Sequence, residues 1–273
     1  MTIARDKFWL FGVRAHQDDI FLGKSTEKRN YRWSRITPGE AALMLDVPNM
    51  IMVNCDGIPV PFSCDAYGYA ESFCRMKNVL WGVTGSGGFR IGNEEKFVCD
   101  LAEKYPYIGG AFMDDFFIKF KNDPDPNASA EALLSEIRSG LDKACRPMEL
   151  YVTWYTHEIE GVDKKLLSYI DGITLWTWES KNLPNLTANF DIIEKNFKEQ
   201  KKLLGIYMYD FTTGMPLTNE QMEFQCEFGL EMMKKGRLDG MIFETNSVMG
   251  VGLPSEMWLR EWVERVKYTI LPD

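Results

Sequence analysis

Gly109-Gly110-Ala111-Phe112-Met113-Asp114-Asp115-Phe116-Phe117 is an apolar run that stops at two aspartates. A short, uncharged stretch of this kind predicts a strand covered on both faces, Gly110 to Asp115, as in a parallel sheet. Working outward, similar runs recur about every 30 residues, the length of one βα unit. Three precede it: Phe8 to Arg14, Met50 to Cys55 and Val79 to Thr84. Four follow: Leu150 to Thr156, Gly172 to Trp178, Leu204 to Tyr209 and Gly240 to Thr245.

Helical segments alternate with them. Thr37-Pro38-Gly39-Glu40 and Thr218-Asn219-Glu220-Gln221 are capping boxes, each opening a helix, the second running from Met222 to Lys235. Asn127 to Ala144 carries Leu133, Leu134, Ile137 and Leu141 at helical spacing. Asp65 to Met76, Glu94 to Lys104, Asp163 to Tyr169, Asn189 to Lys202 and Ser255 to Thr269 complete the series. Strict alternation over 273 residues predicts an α/β fold, a single-domain (β/α)₈ TIM barrel spanning residues 1–273. An open doubly wound sheet would advertise a glycine-rich turn after its first strand, whereas here that turn is Arg14-Ala15-His16-Gln17-Asp18-Asp19.

The formal charge of −9, without basic blocks, argues against nucleic acid or an anionic membrane as partner. Six scattered cysteines without a C-x-x-C pair read as reduced, mostly buried thiols, which fits a cytoplasmic chain. Met1 to Lys7 holds no hydrophobic signal region, and no segment is long enough to span a bilayer. The two histidines make no zinc cluster, and no cofactor is expected. Aromatic residues are 13% of the chain, and several fall at strand ends, where rings can serve a ligand.

In a (β/α)₈ barrel the chemistry sits at the C-terminal ends of the strands. In order, those ends offer Arg14, His16, Asp18 and Asp19; Asn54 and Asp56; Thr84 and Ser86; and Asp114 with Asp115. The later strands offer Trp154, Tyr155, His157 and Glu158; Trp176, Trp178 and Glu179; Tyr209 and Asp210; and Glu244 with Asn246. Asp171 and Asp239, at the opposite ends, read as Asp-Gly turns. Gly85-Ser86-Gly87-Gly88 and Gly250-Val251-Gly252 read as turns rather than phosphate loops.

Carboxylates on several strand ends beside tryptophans are the equipment for breaking a glycosidic bond, which needs one acid and one nucleophile or base. Glu179, directly after Trp176 and Trp178, is the candidate acid, with Asp114 or Asp115 as its partner and Glu244 as a further candidate. Strand alternation turns only one of the two aspartates inward, and Asp115 is the favoured one. Arg14 is placed to clamp a substrate carboxylate or pair with Glu244. His16, Asn54, Trp154, Tyr155, His157, Trp176, Trp178, Tyr209, Asp210 and Asn246 are the expected contacts to a small-molecule or oligosaccharide substrate.

The run from Gly109 to Phe117 resembles the fourth-strand ending, two aspartates followed by aromatics, of glycoside-hydrolase-type (β/α)₈ barrels. The resemblance implies carbohydrate hydrolysis at the barrel mouth. The chain lacks the D-x-x-D-x-D-x-E pattern of chitinase-type barrels and the glutamates on strands four and seven of cellulase-like ones. Two rival readings remain at this point. One is a metal-dependent isomerase or hydrolase using Glu179, Asp210, Glu244 and His157; the other is a catalytically silent saccharide-binding barrel. A Schiff-base aldolase needs an inward lysine, and the strand runs contain none; Lys119 and Lys181 lie beyond their ends.

Overall fold

The structure, a computed structural model, describes residues 1–15, 34–55, 57–159 and 163–272. Eight parallel strands close into a barrel, β1 (Phe8–Val13), β2 (Asn49–Val53), β3 (Asn78–Thr84), β4 (Ile108–Met113), β5 (Glu149–Tyr155), β6 (Gly172–Trp176), β7 (Lys201–Ile206) and β8 (Gly240–Phe243). Each pairs with its sequence neighbours, and β8 closes against β1, with Met241 opposite Phe8. The described helices are α1 (Pro38–Met44), α2 (Cys64–Ser72), α3 (Glu94–Lys104), α4 (Pro126–Leu141), α5 (Lys164–Leu167), α6 (Leu186–Asn196), α7 (Asn219–Lys234) and α8 (Pro254–Val266). Both threonine capping boxes form, with Thr37 and Thr218 accepting from the third backbone N–H of α1 and α7.

Alternation along each strand separates two apolar layers. On β5, Tyr151 and Tyr155 join the barrel interior, while Leu150, Val152 and Trp154 join the outer core beneath the helices. The interior is unusually aromatic, so glycines supply the room. A Cβ at Gly205 would lie 2.1 Å from the Trp176 ring, and one at Gly172 would lie 2.1 Å from the Tyr151 ring. Asp171 and Asp239 do more than turn the chain: their carboxylates accept from Leu150 N–H and Lys202 N–H, each at 2.8 Å. They thereby pin the starts of β5 and β7.

That second bond moves a boundary. The seventh strand begins at Lys201 instead of Leu204, and α6 ends at Asn196. The strand therefore does contain Lys201 and Lys202, but at its N-terminal end, where Lys201 pairs with the Glu149 carboxylate. The expected burial of the thiols is also corrected. None of the six cysteines forms a disulfide, yet Cys64, Cys74 and Cys145 are exposed and only Cys226 is fully buried. No helix among the described residues is long and apolar enough to cross a membrane.

Candidate functional site

The site is built from the end of β4. Phe112 faces the barrel interior, and the period of two places Asp114 on the same side. Asp115 then adopts a left-handed conformation, φ 47° and ψ 29°. An L-residue there is strained by about 1–2 kcal/mol, with aspartate among the more tolerant. The left-handed turn breaks the alternation and returns the Asp115 side chain to the interior. Both carboxylates therefore line one cavity, which corrects the expectation that a single one would do so.

Asp115 is held at both oxygens. Oδ1 accepts the Tyr155 hydroxyl at 2.7 Å, and Oδ2 accepts the Gly87 N–H at 2.9 Å. These donors fix the orientation of the carboxylate. The glycine-rich turn is thus a mount for a donor, and its shape is forced, since a Cβ at Gly85 would lie 1.7 Å from the Asn54 carbonyl oxygen. Asp114 sits deeper and accepts the Thr153 hydroxyl at 3.1 Å. Burial, reinforced by the negative charge of Asp115, pushes its carboxyl well above the usual range, so it favours the protonated form.

Glu244, just past β8, faces this pair from the diametrically opposite strand. It is 2% exposed. Its Oε2 accepts the backbone N–H groups of Met208 at 2.5 Å and Tyr209 at 2.8 Å. Its Oε1 is buried with no hydrogen-bond partner among the described residues. Burial pushes the Glu244 carboxyl up to about 8 against those two backbone bonds. The proposed Arg14 pairing does not form, because Arg14 Nε bonds Asp65 on α2 at 2.8 Å.

The cavity between these acids measures about 260 Å³, with walls that include Phe11, Tyr155, Trp176, Trp178, Tyr207 and Phe211. Trp178 stacks on Phe211 at 14° and stands nearly perpendicular to Tyr155 and Tyr207, at 84° and 86°. Burial raises both tyrosine hydroxyls far above their ordinary range, so they remain donors at any working pH.

Of the sequence candidates, Asp114, Asp115, Glu244, Tyr155, Trp176 and Trp178 converge on this cavity. Others do not. Glu179, the expected acid, is outside the wall, and its carboxylate accepts from Lys181 and Asn182. Asp210 accepts from the Ser180 N–H and hydroxyl and from the N–H groups of Thr212 and Thr213, so it organises the loop after β7. Trp154 points toward the helices, where it packs on Phe117 and Phe197. Tyr209 contributes its backbone N–H to Glu244, while its buried ring packs edge-on to Phe211. Asn246 bridges the Val13 N–H and the Ile36 carbonyl. Asn54 is buried behind the wall, with neither side-chain atom bonded among the described residues. His157 lies at the rim, mostly exposed and stacked on Tyr155. His16, with Asp18, Asp19 and Asp56, lies outside the described residues.

The three acids and the histidine offered as metal ligands do not converge, and no group of three ligand-type side chains able to hold a metal forms among the described residues. Sequence reasoning missed Tyr207, Phe211, Phe11 and Thr153. The inward register Leu203, Gly205, Tyr207 would have found the first. Phe11, in mid-strand, carries no signal that separates it from packing.

No protein-family model matches the sequence, and no curated protein matches it. Solved structures do match in fold. An endo-alpha-mannosidase of the GH99 type from Bacteroides thetaiotaomicron, in complex with Bis-Tris-propane, superposes with a TM-score of 0.61 at 8% identity, over 97% of this chain and 98% of its own. The PgaB (BpsB) glycoside hydrolase domain from Bordetella bronchiseptica gives 0.50 at 10% identity, over 97% and 99%. A mutant tryptophan synthase alpha-subunit from Pyrococcus furiosus gives 0.53 at 11% identity, over 97% and 99%. These likenesses establish the (β/α)₈ barrel; their differing activities show that the fold alone does not choose a reaction.

Proposed function

We propose that the protein is a glycoside hydrolase in which Asp114 is the proton donor and Asp115 the base or nucleophile. One observation carries the reading: two adjacent carboxyls enter the same aromatic-walled cavity in different surroundings, one deeply buried and the other held by two hydrogen-bond donors. Burial and the neighbouring Asp115 push the Asp114 carboxyl toward its protonated form, while Asp115 accepts the Tyr155 hydroxyl and the Gly87 N–H. Such a divided pair is what acid–base cleavage of a glycosidic bond requires.

In this reading a sugar ring lies against Trp178, whose side chain is partly open to solvent, with its C–H face on the indole. Asp114 delivers its proton to the departing glycosidic oxygen. Asp115 either attacks the anomeric carbon or takes a proton from the attacking water. Glu244 contacts the substrate from the opposite wall. The glycosidase fold neighbours agree with this reading without carrying it.

The test is incubation with a panel of α- and β-linked oligosaccharides, with new reducing ends detected by mass spectrometry. The expected result is cleavage of at least one linkage and its loss in Asp115→Asn. Saccharide binding without cleavage across the panel would favour the silent barrel instead.

A further inference from the structure

The acids that line the cavity have no cationic counterpart there: Asp114, Asp115 and Glu244 face it, and no Lys, Arg or His lines it among the described residues. The aromatic walls have the same polarity. Trp178 meets Tyr155 and Tyr207 at near right angles, with ring centroids 5.8 and 5.9 Å apart, so the three rings make one aromatic corner of the cavity wall. Aromatic corners of this kind attract ammonium groups through the ring quadrupole.

Glu244 adds an independent sign. Its Oε2 is fully used by two backbone N–H groups, whereas Oε1, buried beside the cavity, lacks a partner among the described residues. A buried acceptor without a donor is costly, and a ligand N–H is what relieves it. An ammonium supplies three donors and no acceptor, and its charge favours the ionised carboxylate, so its binding releases the proton that burial otherwise keeps on Glu244. The volume of about 260 Å³ accommodates little more than one sugar ring.

We propose that this cavity binds a cationic amino sugar, its ammonium group lodged between the Trp178–Tyr207 corner and Glu244. The proposal deepens the glycosidase reading and rests on it only for the sugar; the cation site stands on the cavity itself.

The test is calorimetric binding at pH 6.5 of three methyl hexosides that differ only at carbon 2, carrying an amine, an acetamide or a hydroxyl. Tetramethylammonium serves as a bare-cation competitor. The amine is expected to bind at least ten-fold more tightly than the other two and to be displaced by tetramethylammonium. Glu244→Gln and, independently, the rim variant Trp178→Ala should each reduce that preference. Equal or weaker binding of the amine overturns the proposal. The assay involves no turnover, so amine preference without hydrolysis of any glycoside would sink the hydrolase reading alone. Hydrolysis of neutral sugars without amine preference would sink the cation site alone.

Discussion

The Tyr155 hydroxyl reaches Asp115 Oδ1 at 2.7 Å, joining the end of β5 to the residue that leaves β4 in a left-handed turn. This bond fixes the orientation of the side chain in a backbone conformation that offers it little intrinsic support. A hydrogen bond to a charged group contributes about 1.5–3 kcal/mol. Tyr155→Phe should therefore lower kcat by roughly 10- to 100-fold through the mispositioned carboxylate. Circular dichroism should show an unchanged fold. An unaltered kcat would mean that the bond is only structural.

The protonated Asp114 sets a basic limb on the pH–rate profile. A general acid must hold its proton, so activity is lost as pH rises through the raised Asp114 value. Rates measured from pH 5 to 9 should fall on the alkaline side, and Asp114→Asn should abolish that limb together with most of the activity. A profile flat into the alkaline range would assign the proton donor elsewhere.

Glu244 makes a stability prediction with a definite sign. Its folded value of about 8 lies above the ordinary 4.5, so the native state keeps a proton that the unfolded chain releases. Its contribution is therefore fully present below about 4.5 and is lost as pH rises toward about 8. Relative to wild type, Glu244→Gln should gain stability between pH 5 and pH 8, by on the order of 1–3 kcal/mol. Paired thermal melts at the two pH values check this, and a constant difference between the proteins would contradict it.

Trp178 and Glu179 are adjacent but should behave differently. Trp178→Ala removes an aromatic wall that is partly exposed, so KM should rise about ten-fold with Tm little changed. Glu179→Gln should leave kcat within about two-fold, since its carboxylate is engaged by Lys181 and Asn182 outside the cavity. Steady-state kinetics on the two variants separate these roles.

The barrel was legible because parallel strands buried on both faces read as continuous apolar runs, and every predicted strand overlaps an observed one. Both capping boxes were visible for the same local reason. The site was only partly legible. Asp114, Asp115, Glu244, Trp176 and Trp178 stand at strand ends, where position alone flags them. Glu179 and Asp210 stand there too, and only three-dimensional hydrogen bonding shows that neighbours occupy them. The joint inward placement of the two aspartates escaped sequence reasoning because it depends on one positive φ angle, which the alternation rule excludes. Tyr207 was passed over because the seventh strand ends at Ile206 instead of Tyr209, so that Tyr207 stands just past its end.

The central claim is that Asp114 and Asp115 divide the acid and base roles. Turnover by wild type, Asp114→Asn and Asp115→Asn, measured on one cleaved glycoside, tests it most directly. The expected result is a fall of about 10³-fold or more in both variants, each still folded, with added azide restoring turnover to Asp115→Asn if that residue is the nucleophile. Retention of activity within ten-fold by either variant would contradict the assignment.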